Sequence, residues 1–204
     1  ILRAEFLQVV TELIGELGTF DKAVAGCDPK KALFRIHRDV RFAKDKRPYK
    51  THFSAGIAPL NKRRPSAAGG PTYYFHIEAN GNLLFGAGEY LPPAHRLKAI
   101  RRHVVNDATG FSKMLKNKHL RATYGDLQFE DVLQRPPKGV DPDHPLVDYL
   151  KLKSYFVWVE VPLLLNSPEL LVPQLASGMK DAFPLVTWLR SVPQEPQEEQ
   201  ESTD

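Results

Sequence analysis

The alternation of side chains between Thr72 and Gly88 constrains the fold of this chain more than any other feature. Apolar residues recur at every second position of its first half, and they are Tyr73, Phe75 and Ile77. This two-residue period is typical of a strand with one buried face. The following pair, Asn80-Gly81, favours a type I′ turn because both positions accept a positive φ. The sequence therefore predicts a β-hairpin with a two-residue loop, which would place Ile77 opposite Leu84.

Similar patterns predict five strands, near residues 34–42, 49–57, 72–78, 83–89 and 154–161. A helical period over residues 2–17 precedes the first strand. Two more lie between the fourth and fifth strands, one ending near residue 106 and one over residues 111–124. A last helical period begins after Ser167. The first four strands follow one another in a run, and the fifth comes after two helices, so strands and helices do not alternate regularly. This order predicts an α+β fold, in which a mostly antiparallel sheet packs against helices.

The domain organisation follows from length and composition. Residues 1–192 are long enough for a single well-cored α+β domain. Residues 193–204 are rich in acidic residues and contain no Lys or Arg, which predicts a disordered acidic tail. Removing the five acids of that tail leaves 28 basic residues against 24 minus 5 acidic ones, a net charge of +9. A basic body of this kind favours anionic partners.

Several classes of protein are disfavoured by simple counts. No apolar run approaches the roughly 18 residues of a membrane span, so we expect no membrane partner. Cys27 is the only cysteine, which excludes an intrachain disulfide and favours a cytoplasmic location, with the nucleus as an alternative. The nucleotide-binding glycine loops and the HExxH metal motif are absent, and we expect neither a cofactor nor a metal.

The segment from Arg35 to His52, RIHRDVRFAKDKRPYKTH, concentrates the potential chemistry of the chain. Its cations outnumber its acids by seven to two, and they are Arg35, Arg38, Arg41, Lys44, Lys46, Arg47 and Lys50. Strand alternation would place Arg38 on the core face together with Phe34 and Ile36. The opposite face would carry Arg35, His37, Asp39 and Arg41. An arginine on a core face needs partners, because an unpaired buried charge is costly.

This segment resembles the signature of a conserved family of unknown function, the domain of unknown function 2461. The matching pattern is RIxRDVRFxKDKxPYKT, followed by Gly56. Three further stretches agree with it: YYFHIEANGNLLFGAGEYLPP, RPPKGVDPDHP and LVDYLKLKSYFVW. The resemblance covers roughly residues 1–189. It implies a fold and the location of a site, but no activity.

Members of that family typically begin with a further helical stretch that carries an Asn-Asn…Trp-Phe element. The present sequence starts after the position of this element. The resemblance therefore implies that the N-terminal helical part of the family is missing here.

The cluster predicts a pocket for a small anionic ligand that carries a phosphate or a carboxylate. Arginine offers a planar fork of donors to such groups, and lysine adds a mobile charge. We expect Arg38 and Lys50 to hold the anion. The remaining candidates assist, orient or donate a hydrogen bond, and they are Arg35, Asp39, Arg41, Lys44, Lys46 and Tyr49. An internal ion-pair network among the same residues is the structural alternative.

Other functions remain open at this point. A nucleic-acid-binding module would use the basic surface, including Lys62–Arg64, and aromatic strand residues. A protein-interaction domain would expose a large apolar patch and have no pocket. If there is catalysis, the candidates for acid–base work are His37, Asp39 and His52, but whether the protein is an enzyme is left open.

Two sets of potential metal ligands are close in sequence. The first is Asp141, Asp143 and His144, and the second is His76 with Glu78. Asp143 is better explained as the N-cap of a helix, and neither spacing matches a metal signature. We therefore expect both sets to be structural.

Overall fold

The computed structural model describes residues 3–36, 49–59, 70–164 and 166–193. Its helices are α1 (Arg3–Phe20), α2 (Pro29–Ala32), α3 (Ala94–Asn106), α4 (Ala108–Leu115), α5 (Lys118–Tyr124), α6 (Val147–Leu150), α7 (Leu171–Asp181) and α8 (Phe183–Ser191). Its strands are β1 (His52–Ile57), β2 (Thr72–Glu78), β3 (Asn82–Glu89) and β4 (Tyr155–Pro162). A short 3-10 helix, Pro168–Leu170, leads into α7. The α+β class predicted from the sequence is confirmed.

The four strands form one sheet in the order β1-β2-β3-β4, and every neighbouring pair is antiparallel. One face of the sheet is covered by helices, since α1 packs along α7 while α7 and α8 lie against β3. Phe6 of α1 contacts the rings of Phe53 and Phe75 at centroid distances of 5.5 and 5.3 Å. We call this the helix-covered face and the opposite one the outer face. The apolar periods of the sequence supply the core between sheet and helices.

The register of the hairpin differs from the prediction. Ile77 pairs with Leu83 and not with Leu84. The strands end at Glu78 and restart at Asn82, so the loop has three residues, and the last of them, Gly81, has a φ of 90°. Three-residue hairpin loops commonly end in such a glycine. The one-residue shift places Leu83 on the helix-covered face, where it is fully buried.

The predicted strand over residues 34–42 is described only as far as Ile36. Leu33 bridges to Ala55, and the amide of Phe34 donates to the carbonyl of Ser54 at 3.0 Å. This part follows the edge of β1 without being a regular strand. Phe34 was predicted to lie on the core face, and this is wrong. Its ring packs edge-on against the ring of Tyr74 on the outer face, with the centroids 5.9 Å apart. Leu33, the odd-numbered neighbour, packs against the core instead.

Helix boundaries differ where tertiary packing intervenes. Helix α1 does not end at Gly18 but continues to Phe20, and Gly18 lies against Ala25, where a Cβ would come within 3.2 Å. The predicted helix 111–124 is split, because the side chain of Asn117 caps a new helix by accepting from two backbone amides. The helical period after Ser167 is also divided, into α7 and α8, and Pro184 lies in the first turn of α8.

Residues 127–133 contain no regular strand, and Val132 makes an isolated bridge to Leu152. The helix N-cap predicted at Asp143 is wrong. Asp143 does not cap a helix, because α6 begins only at Val147 and its N-cap is Leu146.

Arg96 lies on α3 but not on a solvated face. Its side chain is buried, and its guanidinium donates to Glu89 at 2.6 Å. It also donates to the backbone carbonyls of Leu189 and Val192, at 2.7 and 3.2 Å. This arginine therefore joins the end of β3 to the end of α8. Its local sequence gives no sign of the role, since the partners come from elsewhere in the chain.

No helix in the described part of the chain is both long and apolar enough to cross a membrane.

Candidate functional site

Four of the predicted site residues lie within the described residues: Arg35, Tyr49, Lys50 and His52. The others lie outside them, and they are His37, Arg38, Asp39, Arg41, Lys44 and Lys46. The roles expected for this second group stay predictions. The site can be built from the first group and from the side chains that the fold brings beside it.

A cavity of about 170 Å³ lies where the start of α1 meets the outer edge of β1. Its walls include two cations, one phenol and three phenyl rings: Arg3, Arg35, Tyr49, Phe6, Phe34 and Phe53. Arg3, Arg35 and Tyr49 are exposed, whereas Phe6 is buried. The cavity thus has an aromatic floor and a polar, cationic rim. The fold produces it because the chain after Leu33 runs along β1 opposite the first turn of α1.

Lys50 contacts the ring of Phe34. Its ammonium is 5.7 Å from the centroid of the Phe34 ring, a cation–π distance. The backbone amide of Lys50 donates to the carbonyl of Ile36 at 2.9 Å, which ties the two segments of the predicted signature together. The structure therefore brings Arg35, Tyr49 and Lys50 around one aromatic ring.

A second group of polar side chains lies on the outer face of β1 and β2, directly beside Lys50. We call it the histidine cluster, and it comprises His52, Ser54, Tyr74, His76 and Glu78. The rings of His52 and His76 stack with centroids 4.9 Å apart and planes at 30°. The hydroxyl of Tyr74 is 3.1 Å from Nδ1 of His76, and Nε2 of His76 is 3.8 Å from Glu78.

The strand register explains this cluster. Ser54 pairs with His76 and His52 pairs with Glu78, so even-numbered residues of both strands share the outer face. Side chains on diagonal positions of adjacent strands are close enough for rings to touch. His52 therefore meets His76 across the strands. The pattern was present in the sequence, but only the register shows which histidines meet.

The surroundings shift the acid–base behaviour of these groups. Burial and the nearby Lys50 ammonium hold the pKa of His52 below its ordinary value, although Glu78 opposes this. Burial and the charge of a protonated His52 lower the pKa of His76, again against Glu78. Burial raises the pKa of Tyr74. These shifts favour the neutral form of both imidazoles, which is the form that accepts a proton.

The candidates for metal binding make hydrogen bonds or ion pairs within the protein. His76 and Glu78 belong to the histidine cluster, and Asp141 accepts from the amide of Asp143 at 2.9 Å, as in a turn. Nδ1 of His144 likewise accepts from the amide of Leu146. Among the described residues, no group of three or more His, Cys, Asp or Glu side chains is placed to hold a metal ion.

Cys27 has the surroundings of an inert thiol. Its Sγ is 2.9 Å from the carbonyl of Ala58, to which it donates. Burial and the charge of Asp21 raise the pKa of the thiol. A nucleophilic cysteine needs the opposite shift, because the thiolate is the reactive form.

The aromatic residues of the hairpin do not form a surface on which nucleic-acid bases could stack. Tyr73 and Phe75 lie in the core, with exposures of 1% and 0%. Of Tyr73, Tyr74 and Phe75, only Tyr74 lies on the outer face, where its ring already contacts Phe34. The basic stretch Lys62–Arg64 lies outside the described residues.

Comparison with known proteins identifies the family. A family model described as "Conserved hypothetical protein (DUF2461)" matches residues 1–188. The chain belongs to this family. The predicted resemblance is confirmed, and the match includes both the cavity and the histidine cluster. No curated protein and no solved structure matches the chain significantly.

Proposed function

We propose that this protein binds a small ligand in the cavity between α1 and β1, and that the ligand carries a carboxylate or phosphate on an apolar body. The observation that carries the proposal is the wall of the cavity, where Arg3 and Arg35 lie beside the rings of Phe6 and Phe53.

The rim favours an anion. A guanidinium presents parallel N–H donors that match two oxygens of a carboxylate or phosphate, and such charge-assisted bonds are stronger than neutral ones. The described residues that line the cavity include no acidic side chain. Arg3 and Arg35 therefore meet no carboxylate among the described residues of the cavity wall.

The floor and the volume limit the rest of the ligand. An apolar cavity of about 150 Å³ accommodates a benzene molecule. The cavity beside α1 has about 170 Å³ and aromatic walls. It therefore suits one ring, or a chain of a few carbon atoms, next to the charged group. A ligand of this shape gains both from burial of its apolar part and from pairing of its charge.

Further residues predicted from the sequence would add to this site. Lys50 contacts the ring of Phe34, which lines the cavity, and brings a positive charge near it. We expect Arg38 and Arg41 to strengthen the anion site and Asp39 to orient the arginines. Lys44 and Lys46 would raise the local potential.

A thermal-shift experiment with simple probes tests the proposal. Benzoate and phenyl phosphate should raise the melting temperature, because a ligand that binds only the folded state stabilises it. Benzamide, which has the ring but no charge, and inorganic phosphate, which has the charge but no ring, should shift it much less. A short oligonucleotide measured at low and high salt tests nucleic-acid binding, which predicts a steep salt dependence.

Arg35→Gln should abolish most of the shift produced by benzoate, because the main donor fork is lost. The matched control is Arg135→Gln, which removes an exposed arginine from a distant loop and should leave the shift unchanged. The proposal is wrong if benzamide and benzoate act equally, or if both variants respond like the unmodified protein.

A further inference from the structure

The histidine cluster adjoins the cavity without being used by the proposed binding. Phe53 and Ser54 both line the cavity, and His52 immediately precedes them on β1. Phe34 forms part of the cavity wall and also packs against Tyr74, which contacts His76. Phe34 and Ser54 therefore belong both to the wall of the cavity and to the surroundings of the two histidines.

We propose that His52 is the general base of an esterase site, which hydrolyses a carboxylic ester whose free acid group is held at the cavity. This proposal rests on the proposed function, because the cavity supplies the charge recognition that places the ester beside His52. His76 and Lys50 are positioning residues that act through His52.

The geometry explains why an acyl group is favoured over a phosphoryl group. Displacement at phosphorus needs the attacking and leaving oxygens roughly in line, so acid and base lie on opposite sides of the phosphorus. The two imidazoles are stacked and lie on one side of any ligand above the sheet. Ester hydrolysis has no such demand, since one imidazole can take a proton and return it on the same side.

The steps balance with water as the only co-reactant. Neutral His52 accepts a proton from a water molecule while the water oxygen forms a bond to the carbonyl carbon. The resulting tetrahedral oxyanion then re-forms the carbonyl, and the bond to the alkoxy oxygen breaks. His52 returns its proton to this leaving oxygen. The products are a carboxylic acid and an alcohol, and His52 is neutral again.

The neighbours of His52 suit this role. Within the described residues, the charged and titratable groups that bear on the two rings are Lys50, Tyr74 and Glu78. Burial and the Lys50 charge lower the pKa of His52, and the Lys50 charge also favours negative charge on the carbonyl oxygen. The ring of His76, which the Tyr74 hydroxyl contacts, supports the ring of His52 by stacking. Glu78 opposes the lowering of both pKa values.

The test uses two chromogenic esters, mono-4-nitrophenyl succinate, which has a free carboxylate, and 4-nitrophenyl acetate, which has none. The unmodified protein should hydrolyse the succinate ester with the higher kcat/KM, and Arg35→Gln should remove this preference. His52→Gln should lower kcat by about 100-fold or more, as expected for loss of a general base. His95→Gln, which removes an exposed histidine on α3, is the matched control and should leave kcat unchanged.

A pH profile separates the positioning roles from simple structural ones. The rate should rise with pH through the pKa of His52, since the neutral ring is the active form. Lys50→Gln removes a charge that lowers this pKa, so the rising limb should move to higher pH. His76→Gln should lower kcat while the melting temperature and the benzoate shift stay near those of the unmodified protein.

The inference is overturned if the unmodified protein hydrolyses neither ester faster than buffer, or if His52→Gln and His95→Gln have equal rates. It is also overturned if the rising limb does not move in Lys50→Gln. The proposed binding is judged separately, by the benzoate shift and its loss in Arg35→Gln. A positive shift without hydrolysis would leave the binding site standing and reject the esterase.

Discussion

Arg96 illustrates how much one buried residue can connect. Its guanidinium contacts the carboxylate of Glu89 and two carbonyls at the end of α8, and the Arg96 and Glu89 side chains are 8% and 2% exposed. A buried ion pair of this kind is costly to break from one side, because the remaining charge is left without its partner. The residue therefore matters for stability through its contacts, and it lies apart from the candidate site.

Glu89→Gln should lower the free energy of unfolding by about 3–5 kcal/mol, because Arg96 loses its charge partner in a buried setting. Urea unfolding of the variant and of the unmodified protein measures the difference. Asp148→Asn is the control, since it breaks the exposed pair with Lys151 and should cost less than about 1 kcal/mol. Equal effects of the two changes would contradict the importance of burial at Glu89.

At the scale of elements, the close contact between β3 and β4 depends on glycine. Gly86 and Gly88 lie on β3, and a Cβ at either position would overlap the backbone of β4. Gly88 also has a φ of 134°, a conformation that other residues rarely adopt. These glycines are therefore explained by strand packing. A phosphate-binding role is not needed for them.

Gly88→Ala should lower the free energy of unfolding by about 3 kcal/mol, from steric overlap together with backbone strain. Gly139→Ala is a matched control, because Gly139 also has a positive φ of 84° but has nothing within 4 Å of an added Cβ. It should cost only about 1 kcal/mol. Denaturant midpoints of both variants provide the comparison. A smaller effect at Gly88 than at Gly139 would contradict the steric argument.

At the scale of the whole molecule, Asp21 joins the two ends of the described chain. Arg190 of α8 donates to both of its carboxylate oxygens, at 2.7 and 2.8 Å, and the hydroxyl of Tyr73 donates at 2.9 Å. Helix α1, strand β2 and the last helix thus meet at one buried carboxylate. Burial alone would raise the pKa of Asp21, but the hydrogen bonds from Arg190 and Tyr73 outweigh it, and the pKa lies below its ordinary value.

This lowered pKa predicts acid sensitivity. The stabilisation is fully present above the pKa of about 3.9 that an unfolded aspartate has, and it is lost as the pH falls through the lower folded value. The free energy of unfolding should therefore drop below about pH 4 in the unmodified protein. Asp21→Asn should be less stable at neutral pH and should show a shallower drop. Urea unfolding at a series of pH values measures both slopes, and equal slopes would exclude this carboxylate as the cause.

The sequence alone determined the class of fold, the hairpin between Thr72 and Gly88, and the family. These features depend on local periods and on motifs that are contiguous in the chain, so they can be recognised without knowing what each residue contacts. It also indicated Arg35, Tyr49, Lys50 and His52 as candidate site residues, because they belong to one contiguous segment that is dense in cations.

Only the tertiary structure decided which of these groups meet. A hairpin register that differs by one residue moves every side chain to the other face. The face of Phe34 was mispredicted because residues 33–36 are not a regular strand. The burial of Arg96 and the stacking of His52 on His76 arise from residues distant in sequence. Such contacts depend on packing between elements, and no local period encodes them.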